Sequence, residues 1–152
     1  MKKVICAVLS ALLILSLAAC GKTAAPVDVQ AQADAFVTNC TFEAAMEPVE
    51  AEDLGFYFDV PEGTELAGYM ADGTSTEMVV CANCKSEADA QALHESFQQY
   101  IADQLDQASR YQPEEVARIN EGNQTWQLGT NVIMFVCTDT DAAAKLLEGF
   151  EG

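Results

Sequence analysis

Cys81-Ala82-Asn83-Cys84 is the spacing in this chain most suited to chemistry. Two thiols three positions apart, where a strand gives way to a helix, can hold one sulfur as a low-pKa thiolate, because a helix N-terminus stabilises negative charge. Such a pair would serve thiol–disulfide exchange. The surroundings fit only in part. No aromatic residue precedes Cys81, no proline stands just before a later strand, and the neighbourhood is acidic, which raises a thiol pKa. The same spacing is half of a zinc site. Cys40 and Cys137 stand alone in sequence, so the second half is missing and no metal or other cofactor is expected.

The remaining cysteines take their meaning from the start of the chain. Lys2 and Lys3 precede an unbroken apolar or small-residue run from Val4 to Ala19, which stops at Cys20-Gly21-Lys22. A charged start, an apolar middle and small residues before a boundary make a secretory signal. The run would reach about 24 Å as a helix, short of a bilayer core of about 30 Å, so a permanent span is the weaker reading. Leu17-Ala18-Ala19-Cys20 resembles the bacterial lipobox. That resemblance implies a signal peptide over residues 1–19, a cut before Cys20, and a diacylglyceryl anchor on its sulfur, with acyl chains such as palmitate. Two acyl chains hold a protein stably at a membrane where one does not. The expected address is therefore the extracytoplasmic face of the cell membrane, with residues 20–30 as a linker and 31–152 as one domain.

Processing at that cut leaves 133 of the 152 residues and removes Lys2, Lys3 and Cys6. Five basic side chains then face 24 acidic ones, and the formal charge moves from −17 to −19. So acidic a chain is not expected to bind nucleic acid, since phosphate binding needs clustered Lys and Arg. Four cysteines remain: Cys40, Cys81, Cys84 and Cys137. An even count outside the cytoplasm favours disulfides, and four cysteines allow three connectivities. Cys81 and Cys137 fall late in two strands that could be neighbours, so the leading expectation pairs them and leaves Cys40 for Cys84. Free thiols are the alternative in an organism living without oxygen.

The other candidates have plain structural readings. His94 is the sole histidine, at the edge of a helical apolar stripe, and no Gly-x-Ser-x-Gly elbow accompanies it. From Thr23 to Cys84 there are twelve Asp or Glu residues and no Lys or Arg. Their spacing does not match a calcium loop. They read as a solvated face, with cations or a basic partner as the functional reading. Tyr57, Phe58, Tyr69 and Trp126 read as core and hairpin residues, with a ligand site as the other reading.

Nine elements would have to position these groups. Helical spacing of Ala31, Ala35 and Phe36 predicts a helix over 28–39, and a second short one is expected over 48–58. Strands are expected over 64–71 and 76–82, joined at Asp72-Gly73-Thr74. Leu93, Phe97, Tyr100, Ile101 and Leu105 make an apolar stripe for a long helix over 87–109, capped by Ser86 with Asp89 three residues on. Pro113 opens a short helix that Gly122 ends. Residues 125–128 and 131–137 form a second hairpin around Gly129-Thr130. The run from Val132 to Val136 marks a strand buried on both faces. A last helix, capped by Thr138 or Asp139, turns Ala142, Leu146 and Phe150 inward. The fold class expected is α+β: an antiparallel sheet of about four strands in two hairpins, with helices packed on one face in two layers.

This layout resembles small bacterial lipoproteins with a C-terminal domain of unknown function. The resemblance rests on Glu77-Met78-Val79-Val80, Ala88-Asp89-Ala90, Tyr111-Gln112-Pro113-Glu114-Glu115, and Val132 to Val136 followed by Thr138-Asp139. It covers about residues 30–150 and implies a fold rather than an activity. The functional expectation is a non-enzymatic binding or envelope-interaction module with a protein or envelope partner. The alternative is a membrane-anchored thiol–disulfide oxidoreductase using Cys81 and Cys84.

Overall fold

The computed structural model describes residues 27–73 and 75–150. The expected signal segment, with Cys6, the expected lipidation site Cys20, most of the expected linker and Thr74 lie outside them.

The elements run α1 (Val29–Asn39), β1 (Met46–Val49), α2 (Ala51–Leu54), β2 (Glu65–Ala71), β3 (Met78–Asn83), α3 (Glu87–Tyr111), α4 (Glu115–Gly122), β4 (Asn123–Leu128), β5 (Asn131–Val136) and α5 (Thr140–Phe150). The five strands form one sheet in the order β1-β2-β3-β5-β4, and every neighbouring pair is antiparallel. The chain is α+β, as the element pattern predicts. The sheet has a fifth strand, β1, which overlaps the first two residues of the stretch expected to be helical over 48–58. Only the single turn of α2 is helical there. β1 pairs Val49 with Gly68 and Pro48 with Tyr69. It is an edge strand, the place where a proline without an N–H is tolerated.

Side chains alternate across a sheet, so β3 and β5 feed two separate cores. On one face Met78, Val80, Ala82, Val132 and Met134 meet Leu54, Phe58, Leu93 and Phe97. On the other, Val79, Cys81, Ile133 and Phe135 meet Ala33 and Phe36 of α1 and Ala143 and Leu147 of α5. All six residues of β5 are buried: the five of its unbroken apolar run, and Asn131, whose amide donates to Gln32 and the Ala82 carbonyl. Each face makes a sheet-on-helix contact, so a further helical layer is added to the two expected. On α5 the most deeply buried residues are Ala143 and Leu147, one position beyond the expected face. Leu146 and Phe150 still pack against the same core.

Local chemistry explains where the elements begin and end. The Ser86 hydroxyl accepts from the Asp89 N–H (3.1 Å) and donates to the Asp89 carboxylate (2.7 Å), closing the N-terminus of α3. Asp139 rather than Thr138 caps α5, accepting from the Ala142 N–H at 3.1 Å. Gly129 turns the β4–β5 hairpin at φ 58°, a conformation that suits glycine. Gly122 ends α4, and its position has a second cause. A Cβ there would lie 2.2 Å from the Cys137 carbonyl oxygen, and the Cys137 N–H donates to the Gly122 carbonyl at 3.0 Å.

Candidate functional site

The four thiols do not gather in one place. Cys81 sits in the middle of β3 and points into the core beneath α1 and α5. Cys84, just past the strand, belongs to the opposite core, beneath α3. The two sulfurs of the Cys-x-x-Cys segment are thus separated by the sheet itself. Burial pushes the Cys81 thiol far above its ordinary pKa. Burial also raises Cys84, against a weaker opposing contact from the Thr64 hydroxyl at 3.7 Å. Neither environment yields a reactive thiolate, and four sulfurs so divided cannot ligate one zinc ion.

The strand register also rejects the expected disulfide pairing. Cys81 lies opposite Ile133, four residues before Cys137 on the neighbouring strand. That places the two about 13 Å apart along the sheet, at roughly 3.3 Å per residue, whereas a disulfide needs Cα atoms within about 7 Å. Cys40 and Cys84 serve opposite faces and cannot meet. The structure instead packs Cys40, at the end of α1, against the core cluster that holds Cys137, at the end of β5, and each thiol perturbs the ionisation of the other.

A second cluster, not anticipated from sequence, ties one end of the sheet together. The Glu77 carboxylate is fully buried. It accepts from the Glu43 N–H at 2.9 and 3.0 Å, the Ala44 N–H at 3.0 Å and the Thr138 hydroxyl at 3.0 Å. Arg118 of α4 approaches Glu77 to 3.9 Å and bonds to Glu43, Glu115 and the Ser75 hydroxyl. Burial would raise the Glu115 carboxyl. The Thr76 N–H (3.0 Å) and hydroxyl (2.7 Å), with the Arg118 guanidinium, outweigh it and hold that carboxyl below its ordinary value. Every polar group here is satisfied by the protein, so the cluster is a structural latch between the α1–β1 loop, the β2–β3 loop and α4.

The remaining sequence candidates hold elements in place. His94 is half-buried, and its Nε2 shares a 2.9 Å hydrogen bond with the Thr125 hydroxyl, which sets α3 against β4. The Tyr69 hydroxyl donates to Asp34 at 2.7 Å and joins β2 to α1. Trp126 packs on the core beneath α1, and Phe58 is buried with its ring 4.8 Å from that of Phe97.

Tyr57 is the exception, and it leads to a surface that no sequence motif marked. After the single turn of α2 the chain reads Gly55-Phe56-Tyr57-Phe58. Phe58 goes inward, Tyr57 stays 45% exposed and Phe56 85% exposed. The two exposed rings stand between two shallow grooves of about 430 and 270 Å³, and both line each groove. Glu47, Glu50, Asp53 and Asp72 rim the first, with Val49 and Met70 in its floor. Asp59 and Asp103 rim the second, against the Tyr100 ring. No Lys, Arg or His lines either groove. Burial, and then Tyr57, push the Tyr100 hydroxyl up to about 12, so it stays protonated and offers no base. The available signal was composition: three aromatic residues in succession after a one-turn helix exceed what so short a segment can bury.

Among the described residues no helix is long and apolar enough to cross a membrane. No family model, no curated protein and no solved structure matches the chain.

Proposed function

We propose that this protein is a non-enzymatic interaction module, held by acyl chains on Cys20 at the extracytoplasmic face of the cell membrane, that docks a basic protein segment on the Phe56–Tyr57 ridge. The observation that carries the reading is the pair of bare aromatic rings set between carboxylate-rimmed grooves. Aromatic anchors supply most of the energy at docking surfaces, and a rim of one charge selects a partner of the other. Six carboxylates with no cation among them repel anionic lipid headgroups and favour Lys or Arg. An aromatic or aliphatic side chain flanked by basic residues is the matching segment. The lipobox-like Leu17-Ala18-Ala19-Cys20 supports the address, and the division of Cys81 from Cys84 by the sheet favours this reading over an oxidoreductase using that pair.

Photo-crosslinking in intact cells tests the docking surface. A photoreactive phenylalanine analogue at position 56 should trap a partner through a Lys- or Arg-rich segment. Asp53→Asn together with Glu50→Gln should reduce the yield several-fold. The same analogue at Leu128, a distant exposed apolar site, should trap little. Equal trapping at both positions, or a partner joined through an acidic segment, would overturn the reading.

A further inference from the structure

We infer that Cys40 and Cys137 form a dithiol–disulfide site, oxidised by exchange with small neutral or cationic disulfides, in which Cys40 attacks and Cys137 resolves. The inference does not depend on the docking surface.

The geometry assigns the roles. Cys40 closes α1, is half-buried, and lines a shallow surface pocket of about 390 Å³ with Val37, Thr41, Phe42, Ala44 and Met46. A disulfide in that pocket reaches its sulfur from solvent. Cys137 is buried behind it, just beyond β5, and its backbone is held by Gly122. Cys40 packs against the same core cluster that contains Cys137, so the two sulfurs lie on one side of the sheet, apart from Cys84. The Cys137 thiol, against burial and the nearby Asp139 charge, favours the Cys40 thiolate. Cys40, together with burial, keeps Cys137 protonated. The proton that leaves first therefore leaves Cys40, the sulfur solvent can reach.

Exchange proceeds in two balanced steps. The Cys40 thiolate attacks one sulfur of the incoming disulfide, and that S–S bond breaks. A mixed disulfide forms on Cys40, and the first half of the reagent departs as a thiolate that takes up a proton from water. Cys137 then loses its proton and attacks the Cys40 sulfur. The Cys40–Cys137 bond forms, and the second half leaves as thiol. The protein loses two protons and two electrons, and the reagent takes them up to become two thiols. Asp139 beside the pair, on a chain of formal charge −17, disfavours anionic reagents. Cystamine should react faster than cystine, and cystine faster than glutathione disulfide, with the spread narrowing in high salt.

The test uses the reduced full chain in detergent. After treatment with cystamine, non-reducing peptide mapping should find Cys40 joined to Cys137, with Cys81 and Cys84 alkylated only after unfolding. The folded Cys137→Ser chain should stop at a stable cysteamine adduct on Cys40. Cys40→Ser should leave Cys137 unmodified until the chain is unfolded. Oxidation should raise the Tm of the wild-type chain and of neither variant. A bridge to Cys81 or Cys84 would overturn the inference. So would an unreactive folded wild-type chain, or a Cys137 adduct forming in Cys40→Ser as fast as the wild-type bridge.

Discussion

Glu77 shows how much one side chain can organise. It is a carboxylate between the polar turn Asp72–Thr76 and the apolar run Met78-Val79-Val80, and sequence pattern alone gives it no special place. In the fold it accepts hydrogen bonds from two backbone N–H groups and the Thr138 hydroxyl, with Arg118 close by. Glu77→Gln would turn an amide donor towards groups that are themselves donors. An unsatisfied or mismatched buried polar group costs about 1–3 kcal/mol, more where charge is involved. We expect a loss of about 2–4 kcal/mol in urea unfolding. A loss smaller than that of an ordinary surface substitution, about 0.5 kcal/mol, would show that the latch is dispensable. Phe56, by contrast, touches little and contributes little to folding. The two residues separate stability from recognition: one is invisible from outside, the other almost wholly exposed.

The elements were the most legible part of the chain. The apolar stripe of α3, its Ser86 cap, the hairpin turn at Gly129-Thr130 and the buried character of β5 all follow from local pattern and turn chemistry, and the structure has each of them. Ser86→Ala should cost about 1 kcal/mol of stability, because it uncovers the Asp89 N–H at the head of the longest helix. A change within about 0.3 kcal/mol of zero would mean that another group takes over the cap. β1 was not legible. Its four residues include a proline, and they form a strand only because β2 offers a free edge. The inner face of α5 was one position off for a similar reason. Spacing defines a stripe, but the neighbour it meets, here Phe36 and Phe135, decides which residue sits deepest.

For the molecule as a whole, charge and anchorage are the properties to measure. Glu115 is held below its ordinary pKa of 4.5 in the fold. A carboxyl lowered by folding contributes stability above its unfolded pKa and loses it as the pH falls through the folded value. Glu115→Gln should therefore be less stable than wild type near neutral pH, and the gap should narrow as the pH falls below the ordinary value of 4.5 and through the lowered folded one. Urea unfolding across that range checks it; a gap independent of pH would remove Glu115 from the acid response. Growth with radioactive palmitate checks the anchor. The wild-type chain should carry label and sediment with membranes, and Cys20→Ala should lose both properties. Label retained in Cys20→Ala would refute lipidation at that site. The sequence by itself determined the acidity, the α+β class and most of the elements, because each rests on composition or on residues a few positions apart. Tertiary structure alone decided which thiols meet, where Glu77 finds its donors and which aromatic residues stay bare. Those outcomes depend on strand register and on which side of the sheet each helix packs, and both are set by contacts between segments far apart in the chain.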